Sequence, residues 1–268
     1  MKFTYLLSGL FIMLAFTVAK AETTTVCTLI SDVQTAEVLV QEGDCAKRAT
    51  AASTFKIAIS LMGFDSGILK DTHHPVWSFK EGYPDWRKVW RNDTDPQNWI
   101  KHSVVWYSQQ INIRLGKEKF RNYVTSFDYG NADVTGDAEQ QNGLTRAWLS
   151  SSLQISPAEQ VDFISRMIRR ELPVSDEATE MAIGLFDIGL QPNGWHVFGK
   201  TGAGLSQNPD GSPIKGQPWG WFVGWAKRGD RTIAFARLTH DSQRPAIPPG
   251  FAVRDAILAE YFTRENSF

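Results

Sequence analysis

An α+β fold, with one central antiparallel sheet assembled from both ends of the chain, flanked by helices and with a helical region inserted between them, is what the sequence predicts. Three observations predict it. β-Branched residues crowd segments 23–32 and 37–42 near the start. The middle reads mainly helical, with apolar residues at helical spacing. After Gly194 the pattern alternates residue by residue. The 268 residues contain no internal repeat or low-complexity linker, so residues 22–268 are expected to form a single compact domain.

Met1 and Lys2 precede an apolar run over residues 5–18, which ends at Ala19-Lys20-Ala21. A charged start, a short apolar middle and small residues at the two positions a signal peptidase reads describe an export signal, residues 1–21, cleaved after Ala21. The run is shorter than the ~20 residues a spanning helix requires, so no stable membrane anchor is expected. The expected compartment is the periplasm.

Segments 23–32 and 37–42 flank a short polar link, as the arms of a hairpin do. Folding that hairpin brings Cys27 roughly opposite Cys45. In an oxidising compartment this predicts a disulfide, with unpaired thiols as the alternative. A helix begins near Ala52. The clearest later helix opens on Ser156-Pro157-Ala158-Glu159, a capping serine, a proline at the first helical position and a carboxylate three residues on. Val161, Ile164 and Ile168 share its apolar face, Pro173 bounds it, and Arg166, Arg169 and Arg170 read as a solvated face. Beyond Gly194, Trp195, Val197 and Gly199 alternate with His196, Phe198 and Lys200. Trp219, Trp221, Val223 and Trp225 share one face of the next strand; residues 228–231 turn into a strand over 232–238, and a helix over 251–262 closes the chain.

Composition excludes some functions. A net charge of -1 provides no global field to hold nucleic acid or an anionic membrane, so neither is an expected partner. Five histidines include adjacent His73 and His74, but no His-x-His, His-x-x-x-His or Cys-rich ligand pattern accompanies them, and no catalytic metal is expected. The chain reads as a monomer or a homodimer.

The residues that carry chemistry fall in three places. Ser53-Thr54-Phe55-Lys56 sits where a polar loop becomes an apolar helix. A serine there lies near unpaired backbone N–H groups, and a lysine three residues on shares its face, close enough to exchange protons. Such a pattern arises about once by chance in a chain this long. Lys200-Thr201-Gly202 ends a predicted strand and offers a cation, a hydroxyl and a close backbone approach to an acidic substrate. Between them stands Ser103-Val104-Val105, a second hydroxyl able to relay a proton.

In this order the three motifs resemble those of the penicillin-recognising serine enzymes, which include β-lactamases and transpeptidases. Ser-x-Val in the middle, Ser-Thr-Phe-Lys itself, Tyr129-Gly130-Asn131, Trp148-Leu149 and Trp221-Phe222-Val223-Gly224-Trp225 are similar to the class D β-lactamases, the oxacillinases. Residues 147–152 carry no acid where class A β-lactamases place a deacylating glutamate.

The resemblance implies a transpeptidase-like fold and hydrolysis of β-lactam antibiotics through an acyl-enzyme on Ser53, which gives resistance. It implies that Lys56, carboxylated on Nζ by carbon dioxide or bicarbonate, is the general base, with no separate cofactor. Burial supports that role, because desolvation favours a neutral, nucleophilic amine. Phe55, Val105, Trp148 and Leu149 would wall the amine, and the Trp148 N–H would hold the carbamate. The N–H groups of Ser53 and Ala203 would form the oxyanion hole. Ser103 and Lys200 would move protons, and Lys200, Thr201, Gly202 and Ala203 would bind substrate. Family members commonly place an arginine before the last helix for the substrate carboxylate. That place falls on Gly250 here, which leaves Arg244 as the candidate and Arg254 inside the helix. The competing readings are a β-lactam sensor domain that stays acylated, and a cell-wall D,D-transpeptidase or carboxypeptidase. Sensors of this kind sit behind several membrane segments, whereas a cleavable signal is expected here.

Overall fold

The computed structural model describes residues 22–208 and 212–263. The expected export signal, residues 1–21, lies outside them. In chain order the elements are β1 (Thr23–Asp32), β2 (Val38–Gly43), β3 (Ala49–Thr50), a 3₁₀ turn (Ala52–Phe55), α1 (Lys56–Asp65), α2 (Pro96–His102), α3 (Val105–Ser126), α4 (Gly143–Arg146), β4 (Gln154–Ile155), α5 (Pro157–Ile168), α6 (Asp176–Gly184), β5 (Asp187–Leu190), β6 (His196–Gln207), β7 (Pro213–Arg228), β8 (Arg231–Asp241) and α7 (Pro249–Tyr261). One antiparallel sheet runs β2-β1-β8-β7-β6-β5, so the first and last strands of the chain are neighbours. The predicted α+β arrangement is present. Among the described residues no helix is long and apolar enough to cross a membrane.

The sheet separates two cores because successive side chains of a strand point to opposite faces. Leu29, Trp221, Val223, Trp225, Ala234 and Ala236 pack on the face toward α1, α3 and α5. Ile30, Phe222, Ala226, Ile233 and Phe235 pack on the other, under Val253 and Ile257 of α7. Residues 220–226 of β7 are buried on both faces, which strict apolar–polar alternation does not anticipate. The hairpin forms as expected, with Cys27 opposite Gly43 and a Cys27–Cys45 disulfide just beyond the register.

α5 starts where the capping signature places it. Ser156 accepts from the Glu159 amide while the Glu159 carboxylate accepts from the Ser156 amide, satisfying two orphan donors at once. Two expectations need correction. The middle of the chain is less helical than its apolar spacing predicts: residues 66–95 form mostly turns and bends, with one short 3₁₀ turn (Lys88–Arg91). The Arg166, Arg169 and Arg170 cluster is also more than a solvated face. Arg166 donates to the Phe127 carbonyl, Arg169 to the Val33 carbonyl, and Arg170 pairs with Glu180, so the cluster ties α5 to three neighbouring segments.

Candidate active site

α1 is buried from Lys56 to Phe64 and forms the centre of the larger core. The chain enters it through β3 and the 3₁₀ turn, with Ala52 held at φ 48°, a left-handed conformation costly for a residue with a Cβ. This kink leaves Ser53 half-buried at the edge of the core. Lys56, one turn on, points the same way, and its Nζ lies 3.4 Å from Ser53 Oγ. Lys56 is 0% exposed. Burial, and then the nearby charge of Lys200, push its amine well below the ordinary lysine range, and no carboxylate among the described residues contributes in the other direction.

The Trp148 segment is laced onto this turn. The Trp148 carbonyl accepts from Thr50 Oγ1 and from the Ala52 amide, each at 2.9 Å, and Thr50 Oγ1 accepts in turn from the Ser150 amide at 3.0 Å. The Trp148 ring lies 5.8 Å from that of Phe55. Trp148 is fully buried, yet its Nε1–H has no hydrogen-bond partner among the described residues. A buried orphan donor is costly and calls for an explanation. Val105 is buried, whereas Leu149 is only half-buried and lines an outer groove.

Ser103 caps the C-terminal end of α2 in the left-handed conformation, φ 55°. Its Oγ is buried with no protein partner among the described residues. Trp90 Nε1 and Arg87 Nη1 both donate to the neighbouring His102 carbonyl, at 2.9 and 3.4 Å. They bring the 85–91 segment to the rim of the site.

β6 closes the site. Gly202 lies against the nucleophile's turn: a Cβ there would stand 3.0 Å from Thr54 Cγ2. The glycine therefore allows strand and helix to meet. Lys200 is buried, with Nζ donating to the Thr201 carbonyl at 3.0 Å, and burial, then Arg87 and Arg254, lower its pKa to about 7. Exposed Ala203 lines a groove of about 1030 Å³ together with Leu149, Ser150 and Trp86. Lys200 and half-buried Thr201 line a second crevice, of about 420 Å³, with Phe251 and Arg254.

The fold thus gathers Ser53, Lys56, Trp148 and the Lys200–Ala203 strand segment around one junction of α1, β6 and the 147–152 segment. Arg244 is not among them. It is exposed in the β8–α7 connection and lines neither crevice. Gln160 was missed: its Nε2 donates to Thr54 Oγ1 at 2.8 Å and its Oε1 accepts from Tyr129, bracing the turn from below. The available signal was a polar residue four positions before Ile164, on the apolar face of α5. Among the described residues no group of three or more His, Cys, Asp or Glu side chains could hold a metal.

Known proteins of similar sequence share this fold. The penicillin binding protein transpeptidase domain family matches residues 18–262. The chain is 43% identical over 235 residues to β-lactamase OXA-9 of Klebsiella pneumoniae, covering 87% of this chain and 86% of that protein. It is 38% identical over 217 residues to β-lactamase OXA-1 of Escherichia coli, covering 80% and 75%. The crystal structure of OXA-427, a class D β-lactamase, superposes with a TM-score of 0.83 at 39% identity, over 88% of this chain and 96% of that one.

Proposed function

Because the chain belongs to the transpeptidase-domain family and, within it, to the class D β-lactamases, we propose that it hydrolyses β-lactam rings through an acyl-enzyme on Ser53, with a carboxylated Lys56 as general base. The observation that carries this reading is a fully buried lysine amine 3.4 Å from a serine hydroxyl. A lysine held neutral can take a proton or bond to an electrophile, and Ser53 Oγ is the group within its reach.

The surroundings of Lys56 fit a captured carbon dioxide. A neutral amine is the form that reacts with it, no carboxylate among the described residues offsets the amine's charge, and the buried Trp148 Nε1–H, without a partner among those residues, is a donor left for the carbamate. Bound there, carbon dioxide would turn the amine into an anionic base. Val105 and Phe55 are buried, and Trp148 Nε1–H and Ser103 Oγ are buried with no partner among the described residues, as groups reserved for a carbamate and a proton relay are.

Ser53 Oγ attacks the lactam carbonyl and gives its proton to the Lys56 side. The Ser53 and Ala203 N–H groups receive the oxyanion, one such donor being worth about 2.7–4 kcal/mol. Ser103 Oγ and Lys200 Nζ pass a proton to the leaving nitrogen; the pKa of about 7 lets Lys200 act in either protonation state. Water then releases the acyl group with the same base. Opening of antibiotic rings in this way would give resistance, and export to the periplasm would place it where such drugs arrive.

The test is hydrolysis of a chromogenic cephalosporin, with and without bicarbonate, by wild type, Lys56→Ala and Trp148→Phe. Wild type turns over; Lys56→Ala loses about 10²–10⁴-fold in rate. Trp148→Phe, which keeps the ring and removes the N–H, becomes strongly dependent on added bicarbonate. Full activity of Lys56→Ala in carbon dioxide-depleted buffer would sink the mechanism. Stable acylation of wild type without turnover would favour a sensor or a transpeptidase instead.

A further inference from the structure

We propose that Ser150 is a positioning residue for the carbamate: its hydroxyl, bonded to the Leu205 amide where β6 breaks register, fixes the segment that carries the Trp148 indole N–H. The inference rests on the carbamate reading of Lys56 and adds to it a residue outside the three catalytic motifs.

Trp148 sits in a short segment gripped from two sides. On the α1 side, its carbonyl accepts from Thr50 Oγ1 and the Ala52 amide, each at 2.9 Å. Two residues on, Ser150 adopts φ 52°, in the left-handed region, which a residue with a Cβ occupies at a cost. Three bonds hold it there. Its amide donates to Thr50 Oγ1 at 3.0 Å, its Oγ accepts from the Leu205 amide at 2.8 Å, and its carbonyl accepts from Gln207 Nε2 at 2.9 Å. Gln207 Oε1 accepts in turn from Gln154 Nε2 at 3.0 Å.

β6 is shaped for this contact. Its pairing with β7 slips between Leu205, opposite Pro218, and Ser206, opposite Ile214, and at that break the Leu205 amide donates to a side chain. Gly204 lets the strand lie close: a Cβ there would stand 2.3 Å from Thr50 Cγ2 and 3.3 Å from Ser150 Oγ. Ser150, Leu205 and Gln207 line the same groove as Ala203, so the clasp continues the substrate-binding strand.

The neutral Lys56 amine adds to carbon dioxide, forming an N–C bond and releasing one proton, and an anionic carbamate results. A buried anion needs a donor held in place, and the fully buried Trp148 Nε1–H has no partner among the described residues. The Ser150 bonds restrict the backbone two residues from that donor. Loosening them lowers carbamate occupancy and leaves substrate affinity as it was.

The experiment titrates wild type, Ser150→Gly, Gln207→Ala and Ile30→Ala with isotope-labelled bicarbonate, reading the carbamate carbon by NMR, and assays each with a chromogenic cephalosporin. Glycine removes the hydroxyl and tolerates the left-handed backbone. Ser150→Gly should need about three- to tenfold more bicarbonate for half-occupancy, the effect of one hydrogen bond. Its kcat should fall in carbon dioxide-depleted buffer and return to the wild-type value at saturating bicarbonate, with KM little changed. Gln207→Ala, which cuts the bond to the Ser150 carbonyl, should shift the titration in the same direction. Ile30→Ala, which thins the smaller core, should titrate as wild type does. Wild-type affinity in Ser150→Gly, or in Gln207→Ala should the first fail to fold, would overturn the proposal. So would an equal weakening in Ile30→Ala, since loss of carbon dioxide would then track stability alone. Absence of a carbamate signal in wild type would overturn the carbamate reading itself, a result distinguishable from either of these.

Discussion

Two lysines in this site share burial and differ in what surrounds them. Lys56 is pushed well below the ordinary range by desolvation with Lys200 nearby, while Lys200, flanked by Arg87 and Arg254, is lowered to about 7. In an unfolded chain a lysine holds its proton to about 10.4. Between about pH 7 and pH 10 the unfolded state therefore binds more protons at position 200 than the folded state does, and folding stability gains from this group as pH rises. The slope approaches ~1.4 kcal/mol per pH unit within that window. Replacing Lys200 with methionine removes the gain. The difference in unfolding free energy between wild type and Lys200→Met should move in favour of wild type from pH 7 to pH 9.5, as read by urea titrations. A flat difference would mean that Lys200 keeps an ordinary pKa. At this scale Ser53, Lys56, Ser103 and Lys200 were legible because each sits in a short motif. Gln160 was not, since it acts across 106 positions of sequence on Thr54.

Elements whose signal is local came out where the sequence put them, the capped start of α5 and the N-terminal hairpin above all. The 66–95 segment did not, because its apolar residues, such as Leu69 and Trp90, are anchored by tertiary packing and single bonds like that from Trp90 to the His102 carbonyl. The hairpin also shows how an element remote from the chemistry contributes stability alone. Cys45 is joined to Cys27, 18 positions away, and its carbonyl accepts from the Ala158 amide, so the bridge ties β1 to the first turn of α5. Closing a loop of that length restricts the unfolded chain by about 3 kcal/mol. β2 lies at the opposite edge of the sheet, with β1, β8 and β7 between it and β6. Changing both cysteines to serine should lower the unfolding free energy by that amount in a denaturant titration and leave kcat and KM at 25 °C as they are. An altered KM would mean that the hairpin is coupled to the site.

The whole molecule is organised by a sheet whose two faces carry different duties. The alternation after Gly194 and the β-branched start foretold a sheet drawn from both termini, since either pattern is readable within a few residues. They did not say which helix would lie on which face; α7 covers the second, with Val253 and Ile257 in its core. The larger core holds α1, Phe55 and Trp148, and so fixes Ser53 and Lys56; the smaller one, under α7, contains none of these. Ile30 is fully buried in the smaller core and pairs in register with Phe235, on strands two and three places from β6. Cutting Ile30 back to alanine should cost ~2–5 kcal/mol of stability, since the site is close-packed and relaxes only in part. The same change should leave kcat/KM per folded molecule unaltered, because Phe55 and Trp148, which hold the turn that carries Ser53 and Lys56, pack in the larger core. Thermal unfolding and active-site titration of Ile30→Ala measure the two quantities separately. A fall in kcat that accompanies the loss of stability would show that the sheet transmits strain from one face to the other, and that the two cores act as a single unit.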